Sequence, residues 1–296
     1  MQQSRTFSNR SGAGGSDDAS LSTRLRERIS TLQFALDRTA AVLTLKATPK
    51  RIHDVRIAAR RLRALLHAFR RDLDPRSVRQ YRQKLRALTH DLEAAREADV
   101  TRRAIAQLQK EGCAVIRIEA DALREEVADR YSSTLQRLRS QVATASWRRR
   151  VSSLQRLSIR ASLVPVNGEP AAIAVNRRVN RARRRLRLAL RRAGKNVKRV
   201  HRLRLRVKHI RYLLEDDIGA KTPLAADSEL KCLRRLQDCL GDIHDEENLR
   251  DSLRARGMPR RATHGIVEEL RRRKRGHFKE FKECRKDLMK RWRDVI

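Results

Sequence analysis

The fold is decided by a basic segment that occurs twice in the chain. Residues 50–66 are KRIHDVRIAARRLRALL, and residues 198–214 are KRVHRLRLRVKHIRYLL. His201 follows His53 by 148 residues, and the same shift relates further positions downstream without a gap. Apolar and basic positions match in one frame, so the sequence predicts two structurally equivalent halves. The matched pairs include Arg56 with Arg204, Arg60 with Lys208, Arg63 with Arg211, Leu66 with Leu214, Arg86 with Arg234, and Leu92 with Leu240.

Each copy of the segment predicts a helix with one cationic and one apolar face. At about 100° per residue, the basic side chains of the first copy fall within an arc of about 80°. Its apolar side chains lie about 110 to 140° away, where they can enter a bundle core. The second copy repeats both faces, so each half should display its own cationic strip. The strips are His53, Arg56, Arg60 and Arg63, and His201, Arg204, Lys208 and Arg211; the apolar faces are Val55, Ala59, Leu62, Leu66 and Phe69, and Leu203, Val207, Ile210 and Leu214.

The rest of the chain also has a helical pattern. Apolar residues recur at helical spacing from Leu21 onward, and strand-like alternation is nearly absent, so we expect an all-α protein. We predict a flexible polar tail over residues 1–20, a first half over 21–162, a linker over 163–170 and a second half over 171–296. Pro and Gly predict helix ends near Thr48-Pro49, Asp74-Pro75, Gly112, Val164 to Pro170, Gly194, Gly219 to Pro223 and Gly257 to Pro259.

The charge balance predicts a polyanionic partner. The 296 residues include 72 Lys and Arg against 35 Asp and Glu, a formal net charge of +37. The planar fork of arginine suits phosphoryl oxygens. Aromatic residues make up only 3% of the chain, which disfavours base stacking on single-stranded nucleic acid but not backbone contacts to a duplex. Arginines interrupt every apolar run, so we expect no membrane span and a soluble protein.

The cysteines, histidines and carboxylates predict no metal, cofactor or catalytic site. The four cysteines form no CxxC pair, so we expect reduced, packed thiols. The carboxylates around His244 lie on several helix faces, which favours salt bridges to Arg234, Arg235 or Arg250 over a metal site. Three other carboxylates should orient basic side chains. The cysteines are Cys113, Cys232, Cys239 and Cys284; the carboxylates are Asp242, Asp245, Glu246 and Glu247 near His244, and Asp91, Glu93 and Asp99.

The repeated segments resemble those of the CHAD family, a histidine-containing α-helical domain, and the resemblance in repeat organisation spans residues 21–296. A second family-like element follows each segment: residues 92–100 are LEAAREADV, and residues 240–245 are LGDIHD. Glu93 stands where the family pattern favours glycine, and His244 replaces an arginine. Both elements occur in the same order in each half, which makes the match specific.

This resemblance implies two four-helix bundles related by a pseudo-two-fold axis, with a basic central channel that binds inorganic polyphosphate. It also implies a cytoplasmic protein that associates with polyphosphate granules. We expect no catalytic residue. The predicted polyphosphate contacts are Lys50, His53, Arg56, Arg60, Arg63, Arg86, Lys198, His201, Arg204, Lys208, Arg211 and Arg234.

Several alternatives stay open. A charge run usually forms a solvated helix face, and a histidine often caps or bridges helices. An extreme basic charge also gives non-specific affinity for nucleic-acid backbones, so weak nucleic-acid binding is expected. A phosphate-transferring enzyme is less favoured, because the chain contains neither a GxxxxGK[ST] loop nor the ExExK signature of triphosphate tunnel enzymes. The sequence does not set the oligomeric state.

Overall fold

The computed structural model describes residues 14–155, 171–193, 197–215, 225–255 and 263–293. Within these ranges the chain forms α-helices and no strand, which confirms the predicted all-α class. None of these helices is both long and apolar enough to cross a bilayer. The helices are α1 (Gly14–Leu45), α2 (Pro49–Ala68), α3 (Pro75–Asp91), α4 (Glu93–Glu111), α5 (Ala114–Ala143), α6 (Ala145–Gln155), α7 (Ala171–Arg191), α8 (Val197–Glu215), α9 (Ala225–Ala255) and α10 (His264–Arg291).

The helix ends follow local chemistry in the first half. Thr48 caps α2 by accepting a hydrogen bond from the backbone N–H of Arg51 at 3.3 Å. Asp74 caps α3 in the same way, because its carboxylate accepts a hydrogen bond from the backbone N–H of Ser77 at 2.8 Å. A proline follows each cap, where its missing N–H costs nothing. These two predicted helix boundaries and the one at Gly112 are confirmed; the other four predicted ends, and the predicted linker, lie outside the described residues.

The 148-residue shift also relates whole helices. It maps α1 to α7, α2 to α8, the pair α3 and α4 to α9, and α5 to α10. Helix α9 continues where the first half breaks at Leu92, and α6 has no counterpart among the described residues. Helix α1 begins at Gly14, so residues 14–20 of the predicted flexible tail are helical. The division into halves stays a prediction.

The buried apolar side chains form three clusters. One unites α1, α2, α3 and α6 with the end of α5, and a second unites α7 to α10. The third joins the two halves, because Ile105 of α4 and Leu123 of α5 share it with Leu249 of α9 and Ile266 of α10. Every residue of the predicted apolar faces of α2 and α8 is buried, which confirms their assignment to the core. The sequence pattern did not reveal the shared third cluster.

All four cysteines are free thiols, but they differ in burial. Cys232, Cys239 and Cys284 are buried in the second half, as predicted. Cys113 is exposed, so the prediction of a packed thiol is wrong there. It lies in the turn between α4 and α5, directly before the first residue of α5.

Replacing Glu119 with alanine should destabilise the contact between the halves. Its carboxylate on α5 accepts hydrogen bonds from the backbone N–H groups of Gly265 at 2.9 Å and Ile266 at 2.7 Å, at the start of α10. Losing a cap of this kind costs about 1 to 2 kcal/mol, which urea denaturation would measure. Glu125→Ala, at an exposed position of the same helix, is the matched control. Equal free energies of unfolding for both variants would contradict this role.

Candidate functional site

Helices α2 and α8, which carry the two basic segments, pack against each other. Arg61 on α2 lies 3.8 Å from Glu215 on α8, and the rings of His67 and His209 lie 5.4 Å apart, edge to face. The 148-residue shift exchanges these contacts, because it maps Arg61 to His209 and His67 to Glu215. Reciprocal contacts of this kind are what a local two-fold relation produces. The two-fold axis relating the whole halves stays a prediction.

Cations from both halves converge beside this crossing. Burial lowers the pKa of Arg204 and of Lys208, and the charges of Arg60 on α2 and Arg96 on α4 lower both further. Burial also lowers the pKa of Arg56 to about 10, with Arg96 and Arg60 adding to the shift. These effects place Arg60 and Arg96 within electrostatic reach of the other three basic groups. We call Arg56, Arg60, Arg96, Arg204 and Lys208 the seam.

Carboxylates compensate little of the charge in the seam. Among the residues that the structure describes, no carboxylate forms an ion pair with Arg60, Arg204 or Lys208. Arg96 has a partner in the other half, Asp245, at 3.8 Å. This pair links α4 to α9, but its separation is long for an ion pair. The seam therefore keeps a net positive charge that an anion can neutralise.

Lys208 is the most deeply buried cation of the seam, with 6% of its surface exposed. Burial, followed by the charges of Arg60 and Arg204, lowers the pKa of Lys208 to about 6. The amine is therefore mostly neutral at pH 7. A bound anion would favour the charged form, so anion binding at this position should be coupled to proton uptake.

Two predicted histidines flank the seam with exposed rings. Partial burial lowers the pKa of His53 and of His201, and the charges of Arg204 and Lys208 lower that of His201 further. The ring of His201 lies 5.0 Å from that of His244, whose pKa is lowered to about 4 by burial and then by Arg204. The sequence left the direction of these shifts open, and the structure sets it downward.

The predicted contacts did not include Arg96, which belongs to the seam, or His244, which lies beside it. They are 148 residues apart, so they occupy equivalent positions on α4 and α9. Both lie in the second family-like element, where the register of the repeat pairs them. The carboxylates around His244 indicated salt bridges there rather than phosphate contacts. Among the described residues, no group of three or more His, Cys, Asp or Glu is arranged to hold a metal ion.

The two halves differ where the next helix approaches each basic segment. Arg56 donates from Nη1 to the carbonyl oxygen of Thr89 at 3.2 Å, and its Nη2 lies 3.9 Å from Oε1 of Glu93. Glu93 corresponds to Gly241, where an added β-carbon would lie 3.8 Å from Nη2 of Arg204. The Nε of Arg204 is buried without a hydrogen-bond partner. Arg56 thus has a carboxylate at this position, whereas the equivalent position beside Arg204 carries no side chain, and the charge of Asp245 partly offsets the effect of burial on the pKa of Arg204.

The remaining predicted contacts lie away from the seam or outside what the structure describes. Arg211 and Arg234 both pair with Glu215, at 2.9 Å and 3.3 Å. Arg63 lies close to Arg86, whose charge adds to burial in lowering the pKa of Arg63. Lys50 is exposed near the start of α2, and the side chain of Lys198 lies outside the described residues. The predicted contacts that the structure gathers at the seam are His53, Arg56, Arg60, His201, Arg204 and Lys208.

The carboxylates near His244 form ion pairs. Glu247, which is buried, pairs with Arg250 and Lys274, so the predicted partner Arg250 is confirmed. The predicted partner Arg234 is wrong, because this arginine reaches Glu215 from the start of α9 instead.

The three other carboxylates orient basic side chains, as predicted. Asp99 pairs with Arg103 at 2.7 Å, and Asp91 pairs with Arg150. Glu93 is the neighbour of Arg56 described above.

A family model of the CHAD domain matches residues 23–254. The chain belongs to the CHAD domain family. The matched range contains both basic segments and both of the elements that follow them. Two solved structures resemble this CHAD domain in fold. PptA from Streptomyces chartreusis has a TM-score of 0.64 and 15% identity, with 94% of this chain and 99% of that chain covered. The crystal structure of the CHAD domain from the plant Ricinus communis has a TM-score of 0.54 and 18% identity, with 93% and 88% covered. No curated protein matches the chain in sequence.

Replacing Lys208 with methionine should stabilise this CHAD domain. Methionine keeps an unbranched apolar stem but removes the amine that burial, Arg60 and Arg204 hold neutral. Between about pH 6 and 10.5 the unfolded state binds a proton at Lys208 that the folded state does not, so stability rises with pH in this window. The gain in the free energy of unfolding should therefore reach about 1 kcal/mol or more near pH 6 and shrink towards pH 10.5.

Urea denaturation across this pH range would measure the gain. Lys231→Met, at an exposed position on α9, is the control. A gain that does not depend on pH, or a loss of stability, would contradict the neutral state of Lys208.

Proposed function

We propose that this CHAD domain captures inorganic polyphosphate in the seam and does not turn it over. The observation that carries the proposal is the convergence of basic groups from both halves on one space, where Arg60 and Arg204 are unpaired among the described residues and Lys208 can take up a proton. A linear polyphosphate carries negative charge on every phosphoryl group, so it can meet cations on two helices at once. Arginine can also hold phosphoryl oxygens through two parallel hydrogen bonds.

The depth of the seam favours a thin, flexible anion over a nucleic-acid duplex. Arg56 exposes only 12% of its side chain, and Lys208 is buried. A DNA duplex stays stiff over about 150 base pairs, so it does not fold into a recess to reach such groups. A phosphoanhydride chain rotates about each P–O bond. Exposed arginines elsewhere would still give weak affinity for nucleic-acid backbones, and this affinity would fall with salt.

The carboxylates nearest the seam fit a protein that binds polyphosphate without cleaving it. Glu93 lies beside Arg56 and Asp245 lies beside Arg96, so both act as partners of cations. The family resemblance supports a cytoplasmic location and association with polyphosphate granules. In this role the protein needs no cofactor, and the polymer itself is the partner.

Replacing both Arg56 and Arg204 with alanine should weaken binding of long-chain polyphosphate by roughly a hundredfold, because each removes a charge-assisted hydrogen bond. Titrations at one fixed salt concentration would measure the loss, with circular dichroism to verify the fold. Arg148→Ala combined with Arg149→Ala, at exposed positions on α6, removes the same charge away from the seam and should change affinity little.

Three results would reject the proposal. A folded Arg56→Ala/Arg204→Ala protein that binds as tightly as the parent would show that the seam is not the site. Duplex DNA that displaces polyphosphate at equal phosphate concentration would favour the nucleic-acid alternative. Release of phosphate from the polymer with added magnesium or manganese would make the protein an enzyme.

Replacing Glu93 with glutamine should strengthen polyphosphate binding. The substitution keeps the side-chain shape but removes the carboxylate charge that lies 3.9 Å from Arg56 and competes with phosphate. Because Glu93 is half exposed, the gain should be modest, roughly two- to fivefold in affinity. The opposite change, Gly241→Glu, brings a carboxylate to Arg204 and should weaken binding. Glu125→Gln on α5 is the charge-matched control, and a Glu93→Gln affinity equal to that of this control would refute the competition.

A further inference from the structure

A second basic surface adjoins the seam. A cleft of about 890 Å³ lies where α2, α7 and α8 meet, and Arg60 and Lys208 line it as well as the seam. Its wall on α7 carries Arg181 and Arg185, which are exposed. We call this space the α7 cleft. It is therefore continuous with the seam through two shared cations.

The α7 cleft has almost no carboxylate to neutralise it. Asp72 is the carboxylate in its lining, and this group is already engaged by Arg178 at 2.6 Å. No carboxylate of the described residues pairs with Arg181 or Arg185. Helix α7 also carries Arg178 over the ring of Phe69 at 5.5 Å, which anchors this helix to α2. Arg181 and Arg185 therefore lie on a helix that this contact anchors.

Cations from α3, from α7 and from the turn after α2 converge at the floor of the α7 cleft. Partial burial lowers the pKa of His67, and Arg70 after α2, Arg82 on α3 and Arg185 on α7 each lower it further. The Nδ1 atom of His67 is buried without a hydrogen-bond partner. Burial, His67 and Arg185 also lower the pKa of the neighbouring His209, to about 4. Among the described residues, Asp72 is the one carboxylate in the lining of this cleft.

A carboxylate engages the arginines on the other side of the crossing. Glu215 pairs with Arg211 at 2.9 Å and Arg234 at 3.3 Å, and lies 3.8 Å from Arg61. Its repeat equivalent is His67, which is not an acid. The first-half equivalents of the two paired arginines, Arg63 and Arg86, form no ion pair among the described residues. The arginines on the Glu215 side are therefore already engaged, whereas Arg63 and Arg86 are available to an anion.

We propose that a polyphosphate chain held in the seam leaves it on one side only, through the α7 cleft, where Arg181 and Arg185 bind its further phosphates. This inference rests on the proposed function. It makes the binding path directional although the scaffold is repeated, because Glu215 already engages the arginines on the other side of the crossing. It also makes the α7 cleft a subsite for long chains, since a short oligophosphate satisfies the seam alone.

The experiment compares two polyphosphate lengths on matched charge-removal variants. Arg181→Gln/Arg185→Gln alters the α7 cleft, Arg211→Gln/Arg234→Gln alters the opposite side, and Arg148→Gln/Arg149→Gln on α6 is the control for net charge. Each variant is verified by circular dichroism and titrated with long-chain polyphosphate and with tripolyphosphate at several salt concentrations. The α7 variant should bind long chains roughly tenfold more weakly while changing tripolyphosphate affinity by less than about twofold. Its salt slope for long chains should fall by about 2, one for each lost phosphate contact.

The variant on the Glu215 side should lose far less affinity for long chains than the α7 variant. An equal loss in both would show a symmetric path and overturn the proposal. If the α7 variant binds long chains as tightly as the parent, the path ends at the seam. If the α7 variant loses as much affinity for tripolyphosphate as for long chains, the cleft is no separate subsite. Either result also overturns the proposal. A parent protein that binds neither polymer would reject the proposed function itself, which is a distinguishable outcome.

Discussion

The structure depends on apolar packing that holds two cationic helix faces together at one crossing. Leu62 and Leu66 on the opposite face of α2 are fully buried, and each such side chain contributes about 1.5 to 3 kcal/mol. Repulsion between like charges one turn apart on a helix costs only a few tenths of a kcal/mol per pair. Burial of the apolar face therefore exceeds the repulsion on the cationic face. The cations are held close together before any anion arrives.

The third hydrophobic cluster and a few polar contacts fix this arrangement. The cluster joins α4 and α5 to α9 and α10, and the carboxylate of Glu119 caps α10 from the other half. Arg96 and Asp245 add a link beside the seam. These contacts join the helices that follow α2 to those that follow α8, so they oppose separation of the two basic helices. Burial and the charges of Arg60 and Arg204 lower the pKa of Lys208 to about 6, so its amine is mostly neutral at pH 7 and adds little to the repulsion.

The repeat supplies a common scaffold, and single substitutions make its two copies unequal. Glu93 lies beside Arg56 in one half, whereas the equivalent position beside Arg204 is Gly241, which has no side chain. Glu215 engages arginines on one side of the crossing, whereas His67 occupies its equivalent on the other. None of these changes alters the apolar positions that set the fold. Charge compensation can therefore diverge between the halves while the packing remains equivalent.

The sequence by itself determined the helical class, the repeat and the two faces of each basic helix, because these depend on residue spacing within single helices. The burial of Val55, Ala59 and Leu203 follows from that spacing. Only the tertiary structure decided which cations share a space. Arg96 on α4 lies in the seam with its partner Asp245 on α9, and Glu215 on α8 meets Arg61 on α2 and Arg234 on α9. Partners on different helices lie far apart in the chain, and periodicity carries no information about distances between helices or about the pKa shifts that burial produces.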